Sequence, residues 1–311
     1  MKKNSILVIG AKGQLGRELV GQGEKLKGEV VGVDVDELDI TNRTAVRDFF
    51  KEQTFSVVVN AAAYTAVDQA EKEPEIVFAV NSEGPHNLAI ICHEKSIPLI
   101  HISTDYVFDG LKPGAYSEDD APSPVGIYAS SKAEGEKRVA MASKRHIVIR
   151  TAWLYGIHGN NFVKTMLRLG REKTEIKVVN DQYGCPTNAA ELAAAILTIC
   201  RKVHESDIFD AWGVYHYCDE GETSWYGFAE MIFKMASGYE TPAIQNLIPI
   251  TTQEYPTPVK RPPNSVLSCD KIQQVFGIQR KPWEESLRHM LNRLYRAKWS
   301  DNGALDVRCE T

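Results

Sequence analysis

The β-branched run Ile6–Ile9 leads directly into Gly10-Ala11-Lys12-Gly13-Gln14-Leu15-Gly16, which opens a stretch of helical apolar spacing, Leu15–Leu26. A GxxGxxG loop between a strand and a helix constrains the fold of this chain more than any other feature. Only residues without a Cβ let the strand turn so sharply and pack its helix so closely. The same loop aims backbone amides and a helix N-terminus at one point, which is the electrostatic setting for a diphosphate. Gly10, Lys12, Gly13, Gln14, Leu15 and Gly16 are therefore the first candidates for holding a dinucleotide cofactor. The alternative is a tight strand-to-helix turn with no ligand, so the rest of the chain has to decide.

Further short β-branched runs occur at Val30–Val33, Val57–Val59, Leu99–Ile102 and Ile147–Ile149, separated by helix-like stretches at Arg43–Gln53, Pro74–Lys95 and Tyr128–Ala142. The alternation predicts an α/β fold of Rossmann type, a doubly wound parallel sheet with helices on both faces. Thr41 or Asn42 is placed to cap the helix that follows it. After about residue 155 the prolines Pro186, Pro242, Pro249, Pro256, Pro258, Pro262 and Pro263 interrupt shorter elements. The expected division is a dinucleotide-binding domain over 1–155, to which later segments return, a mainly substrate-binding lobe over 156–298, and a frayed tail over 299–311.

Asp34 closes the second strand 18 residues beyond Gly16, where a carboxylate binds ribose hydroxyls and repels a 2′-phosphate. It favours NADH, whereas Lys12 and Arg17 are cations able to pair with the 2′-phosphate of NADPH, so the preference for NADH is slight. Asp39 and Ile40 are expected at the edge of the adenine pocket. After the third strand, Asn60-Ala61-Ala62-Ala63-Tyr64 offers small residues where the cofactor would cross the sheet edge, and Ala62, Ala63 and Tyr64 join the cofactor candidates.

The chemistry points to Thr104 in Ser103–Phe108 and to Tyr128 and Lys132 in Tyr128-Ala129-Ser130-Ser131-Lys132. A four-residue step puts Tyr128 and Lys132 on one helix face, where an ammonium lowers a phenol pKa from about 10. Tyr128 then gives a proton to a substrate oxygen as hydride reaches carbon. A YxxxK step also arises by chance among 12 tyrosines, so it counts only together with the glycine loop.

Composition narrows the alternatives. With 36 Lys and Arg against 41 Asp and Glu, the formal charge of -5 argues against nucleic acid or an anionic membrane as the main partner. Met1-Lys2-Lys3 leads into a strand rather than a signal-peptide core, and no run reaches the length of a membrane span, so a cytoplasmic location is expected. The six cysteines lack CxxC pairs and the eight histidines lack HxH or HxxxH spacing, so no metal site is expected and His101 reads as a packed strand residue.

Glycine loop, Asn60–Tyr64 and the Thr/Tyr/Lys set, in that order, resemble the extended short-chain dehydrogenase/reductase family. Thr65–Glu71, Ser103–Gly110, Arg150–Gly156, Asp181–Thr187 and Arg261–Ser265 resemble its dTDP-4-dehydrorhamnose reductase branch, over nearly the whole chain. Ala129 departs from the glycine usual there. The resemblance implies NAD(P)H-dependent reduction of the C4 ketone of dTDP-4-dehydro-L-rhamnose to dTDP-L-rhamnose, a precursor of bacterial surface polysaccharide. It makes Tyr128 the acid, Lys132 its tuner and ribose holder, and Thr104 a donor to the substrate oxygen. It also implies that Asp105 and Trp153 contact the sugar nucleotide, that Val67 lines the sugar pocket, and that Arg261 meets the diphosphate. Trp153 is alternatively a core aromatic, and Arg261 a solvated surface residue. Asn161-Phe162 and Asp181-Gln182 are equally readable as structural braces.

Related dehydratases resemble Thr-Asp-Glu where this chain has Thr104-Asp105-Tyr106, so the base for removing water is missing. A reductase of another nucleotide-linked 4-keto sugar, and a noncatalytic regulatory subunit on the same fold, are the other readings. The resemblance also allows Mg2+ at a subunit contact and a homodimer. No carboxylate cluster marks such a metal site, because Glu118-Asp119-Asp120 reads as a solvated loop.

Overall fold

Six parallel strands form the central sheet in the order β10-β5-β4-β3-β1-β2. They are β1 (Ser5–Ile9), β2 (Glu29–Val33), β3 (Val57–Asn60), β4 (Leu99–Thr104), β5 (His146–Thr151) and, from much later in the chain, β10 (Gly213–His216). The computed structural model describes residues 5–24, 29–206 and 208–303. Val57, Val58 and Val59 are all fully buried, Val57 and Val59 facing one apolar core and Val58 the other. A strand covered on both faces needs no polar alternation, which is why these runs read as continuous β-branched residues. From β1 the chain first adds β2 on one side and then β3 on the other, so the order reverses between β1 and β3. That reversal opens a crevice at the carboxyl ends of the two strands.

The helices of this half are α1 (Gln14–Gly23), α2 (Arg43–Phe49), α3 (Val67–Ala70), α4 (Pro74–Phe78), α5 (Gly84–Glu94) and α6 (Ile127–Ala142). Asn42 caps α2, its Oδ1 accepting from the amides of Thr44 and Ala45. That helix stops at Phe49, short of the expected Gln53. The single helix expected over Pro74–Lys95 is instead α4 and α5 joined by a π-helical turn, Ala79–Glu83. Gly84-Pro85 sits at this junction, and Pro85 has no amide to donate back into a regular helix. Residues 25–28, which include the expected end of α1, lie outside the described residues.

Between β5 and β10 the chain builds β6 (Leu154–Tyr155), α7 (Phe162–Glu172), β7 (Glu175–Val179), β8 (Tyr183–Gly184), β9 (Thr187–Asn188) and α8 (Ala189–Glu205). After β10 come β11 (Thr223–Ser224), α9 (Trp225–Ala236), β12 (Asn246–Ile250), α10 (Asp270–Phe276) and α11 (Trp283–Gly303). Small pairs, β7 with β12, β8 with β11 and β6 with β9, replace a continuous sheet. Their core is a separate cluster that includes Tyr155, Val163, Phe228, Ile232, Trp283 and Leu287. α8 returns to the first half, where Gln22 donates to the carbonyl of Ala190 at 2.8 Å. Because α11 extends to Gly303, the tail expected from residue 299 begins within a helix, and residues 304–311 lie outside the described residues. No helix among the described residues is long and apolar enough to cross a membrane.

Candidate active site

The glycine loop is shaped by backbone contact. Gly10 has φ +81°, and a Cβ there would lie 2.6 Å from the amide nitrogen of Ala62; one on Gly16 would lie 2.1 Å from the carbonyl oxygen of Gly10. Loop, helix and the Ala61-Ala62 segment therefore touch as bare backbone, and no side chain caps the first turn of α1. An uncapped helix N-terminus behind a glycine cradle at the switch point fits a dinucleotide diphosphate. The amides of Lys12 and Val35 donate to the Asp34 carboxylate at 2.7 and 2.9 Å, which orients it at the strand end. The ammonium of Lys12 pairs with Asp36, and Arg17 donates to the carbonyl of Lys12.

Other residues expected at the cofactor sit less directly. Leu15 and Ile40 are core residues, 5% exposed each, and Ile40 packs under Gly84. Asp39 uses its carboxylate on the amide and hydroxyl of Thr41. Gln14 accepts from Asn161 Nδ2 at 2.9 Å, which ties the glycine loop to the residue capping α7. Ala62 donates to Asn60 Oδ1, and Asn60 meets the buried His101 at 3.2 Å.

Thr104 ends β4, while Tyr128 and Lys132 project from the first turns of α6; all three are at most 9% exposed. Burial pushes the phenol of Tyr128 up to about 12, opposed by a hydrogen bond to the Thr104 hydroxyl. The expected lowering of this phenol by Lys132 is not what the geometry produces. Lys132 Nζ donates instead to the carbonyl of Ile102 at 2.7 Å, and burial brings the ammonium itself down to about 8. Burial disfavours the charged form of each group. Thr104 also donates to Asp105 Oδ1 at 2.9 Å. Asp105 is 2% exposed, and burial raises its carboxyl to about 6 against the hydrogen bonds from Thr104 and Ser265.

Tyr64, Val67 and Tyr106 pack around Tyr128, the Tyr106 ring edge-on at 5.6 Å. Arg261 reaches this group from far along the chain, pairing with Asp68 at 2.8 Å, one residue beyond Val67. It is not the solvated surface residue of the alternative reading, since its side chain is 18% exposed. It lines a small cavity with Tyr106, Phe108 and Val125, and its Nη1 is buried without a hydrogen-bond partner among the described residues. Trp153 lies farther into the second lobe, at φ +47°, a left-handed conformation that is strained for a non-glycine residue. Its ring stacks on Trp225 at 3.5 Å. Asp181 and Gln182 both engage Thr252, and Phe162 leans on Trp225 at 4.6 Å, so these residues brace the lobe. Glu118 is not solvated, because it accepts the amide of His216 on β10 at 2.9 Å.

Sequence reasoning missed Asn81, which is fully buried in the π-helical turn. Its side chain accepts from the Tyr64 amide, and donates to the Tyr64 carbonyl and to Ser131 between Tyr128 and Lys132. The available signal was Gly84-Pro85 inside a helical pattern. Trp225 was missed as well, since nothing near it in the chain marks a site. Among the described residues there is no group of three or more His, Cys, Asp or Glu that could hold a metal ion.

A parallel sheet with a glycine cradle at its switch point, and a buried tyrosine and lysine on the helix that packs beside it, make this a Rossmann-type α/β protein. A family model described as the RmlD substrate binding domain matches residues 3–296. A dTDP-4-dehydrorhamnose reductase of Sinorhizobium fredii is 41% identical over 286 residues, covering 92% of this chain and 96% of that one. The crystal structure of a dTDP-4-dehydrorhamnose reductase from Clostridium acetobutylicum superimposes with a TM-score of 0.87 at 40% identity, covering 93% of this chain and 99% of that one. The corresponding structure from Bacillus anthracis, in complex with NADP, gives a TM-score of 0.85 at 36% identity, covering 94% and 99%. The chain belongs to the dTDP-4-dehydrorhamnose reductase family.

Proposed function

We propose that this chain reduces the C4 ketone of dTDP-4-dehydro-L-rhamnose to the alcohol of dTDP-L-rhamnose, using NADH or NADPH in the cytoplasm. The observation that carries the reading is the burial of Thr104, Tyr128 and Lys132 together at the carboxyl edge of the sheet, beside the glycine cradle. When bound there, the reduced nicotinamide supplies the hydride. A phenol pushed up to about 12 is protonated at neutral pH and is therefore a donor to the C4 oxygen as that oxygen gains charge. The Thr104 hydroxyl gives its one proton to Asp105 and turns it to the substrate oxygen when the ketone is bound. Lys132 spends one N–H on Ile102 and keeps two for the ribose and for Tyr128.

Gly10, Gly13, Gln14, Leu15 and Gly16 present backbone to the diphosphate, and Ala62, Ala63 and Tyr64 line the crossing. Asp34 faces the adenine ribose, with Lys12, Asp39 and Ile40 around it. Its carboxylate is fixed by two amides and Lys12 is occupied by Asp36, which supports a slight preference for NADH. Val67, Asp105 and Trp153 from 1–155 and Arg261 from 156–298 hold the dTDP-sugar; residues 1–155 together with β10 otherwise serve the cofactor, and 156–298 is mainly the substrate lobe. A homodimer is the expected assembly for such a fold.

The test is the loss of nicotinamide absorbance with this sugar nucleotide and NADH or NADPH in parallel. Rapid oxidation supports the reading and ranks the cofactors. Oxidation with neither, despite cofactor binding, moves the assignment to another nucleotide-linked 4-keto sugar, and then to a regulatory subunit.

A further inference from the structure

The segment Gly156–Asn161, between β6 and α7, lies along the first turns of α1. It meets that helix at Gln14 and Glu18, which are one turn apart on the same face. His158 Nε2 stands 3.8 Å from the buried carboxylate of Glu18, which Arg293 of α11 holds at 2.9 Å. Gly159, at φ +62°, packs so tightly that a Cβ there would lie 2.9 Å from Gln14 Cγ. Lys164 of α7 secures the segment by donating to the Gly159 carbonyl at 2.6 Å. Asn161 Nδ2 completes the contact, donating to Gln14 Oε1 at 2.9 Å.

Backbone partners fix which end of the Asn161 amide is which. Its Oδ1 accepts the Lys164 amide at 3.1 Å, and its Nδ2 donates to the Gly156 carbonyl at 2.8 Å. A backbone N–H cannot accept and a carbonyl cannot donate, so this amide has one orientation. Gln14 must therefore present its oxygen to Asn161, which leaves its NH2, with two donors, as the free end. Among the described residues that NH2 makes no hydrogen bond. Gln14 is also the first residue of α1, whose opening turn has no side-chain cap, so its backbone amide is one of the unsatisfied N–H groups beside the cradle.

We infer that Asn161 is a positioning residue for the cofactor. By holding the Gln14 oxygen from the second lobe, it fixes the first turn of α1 and leaves the Gln14 NH2 as a side-chain donor for the diphosphate. Asn161 acts through Gln14 and does not itself touch the cofactor. The inference rests on the reading that the glycine cradle holds a nicotinamide dinucleotide. The tie is separate from the stacking of Trp153 on Trp225, so cofactor affinity should respond to it more than sugar affinity does.

The experiment is a double-mutant cycle on the full chain, without sugar nucleotide. Nicotinamide fluorescence gives Kd for whichever of NADH and NADPH binds more tightly. Asn161→Ser keeps an oxygen to cap α7 but is too short to reach Gln14. It should hold the thermal midpoint within a few degrees of wild type and raise Kd about fivefold or more, the scale of one hydrogen bond. Gln14→Leu should raise Kd at least as much, and the double variant should match Gln14→Leu within about twofold. A residue that only braces α7 would instead give effects that multiply in the double variant, and would raise sugar-nucleotide KM more than cofactor Kd. Either of those results, or a Kd within about twofold of wild type in Asn161→Ser, overturns the inference. If Asn161→Ser does not fold, Asn161→Asp decides alone. It keeps the capping oxygen but draws the Gln14 NH2 to its second carboxylate oxygen, so Kd should rise likewise, and an unchanged Kd overturns the inference. A wild type that binds neither cofactor overturns this inference and the cofactor reading together, whereas normal wild-type binding with unmoved variants removes this inference alone.

Discussion

The half built on the central sheet and the second lobe shape their parts of the candidate site by different physical routes. In the first, backbone meets backbone: Gly10, Gly16 and Ala62 come so close that a single Cβ would overlap main-chain atoms. In the second, Trp153 after β5, Phe162 of α7 and Trp225 of α9 stack as side chains on short two-stranded sheets. A backbone cradle has no slack, because a shift in it moves a strand and a helix together. An aromatic stack can slide, so it tolerates change and can set specificity.

That contrast can be broken or sharpened by substitution. The largest effect is expected where the chemistry sits: Tyr128→Phe should lower kcat by at least ~100-fold, the scale of a lost general acid. Cofactor affinity and thermal midpoint should stay near wild type, and kcat should be read by single-turnover oxidation. Wild-type turnover in this variant would remove Tyr128 from the acid role. Next comes Gly16→Ala, whose Cβ would fall 2.1 Å from the Gly10 carbonyl. Overpacking against main chain should cost about 1–3 kcal/mol in a denaturant midpoint. Cofactor Kd, followed by nicotinamide fluorescence, should rise more than about tenfold, which a loss of aligned backbone donors readily produces.

A smaller effect is expected from Gly184→Ala in the second lobe. There the Cβ would lie 2.5 Å from the Trp153 ring and 2.7 Å from Ser265 Oγ, side chains rather than main chain. KM for the sugar nucleotide should rise by roughly 3- to 10-fold, about one kcal/mol of lost contact, with cofactor Kd unchanged. An equal loss of cofactor affinity would break the proposed separation between the halves.

The last effect concerns Asp219, a fully buried carboxyl near the α8–α11 contact, whose Oδ2 accepts the Asn188 amide. Burial raises it from 3.8 to about 8. A folded-state pKa above the unfolded one means that its contribution to stability is complete below about pH 4 and is lost as pH rises toward 8. Asp219→Asn should therefore gain on wild type by roughly 2–3 kcal/mol at most between pH 6 and pH 8 in urea unfolding, with little further change above pH 8. A parallel decline of both proteins would show that Asp219 does not set this dependence.

The readable parts of the molecule were those whose chemistry lies within one segment. Ile6–Gly16 announces strand, cradle and helix in eleven successive residues, and Tyr128 with Lys132 shares a helix face by spacing alone. Pro74–Lys95 was misread as one helix because its apolar period continues through Gly84-Pro85, while the break is filled by Asn81 reaching Tyr64 and Ser131. The pairing of Asp68 with Arg261 spans 193 positions, and no local pattern announces it.

By itself, then, the sequence determined the alternation of buried strands and helices, the cradle, and the identity of the hydroxyl, phenol and amine that carry the proposed chemistry. These follow from steric limits and periodicities acting over a few residues. Only the tertiary structure decided that β10 closes the sheet, that Lys132 turns to Ile102, that Arg150 holds Glu136, and that Trp153 meets Trp225. Each of those depends on how far burial outweighs charge, or on which distant surface fills a given space, and both are settled only when the whole chain has packed.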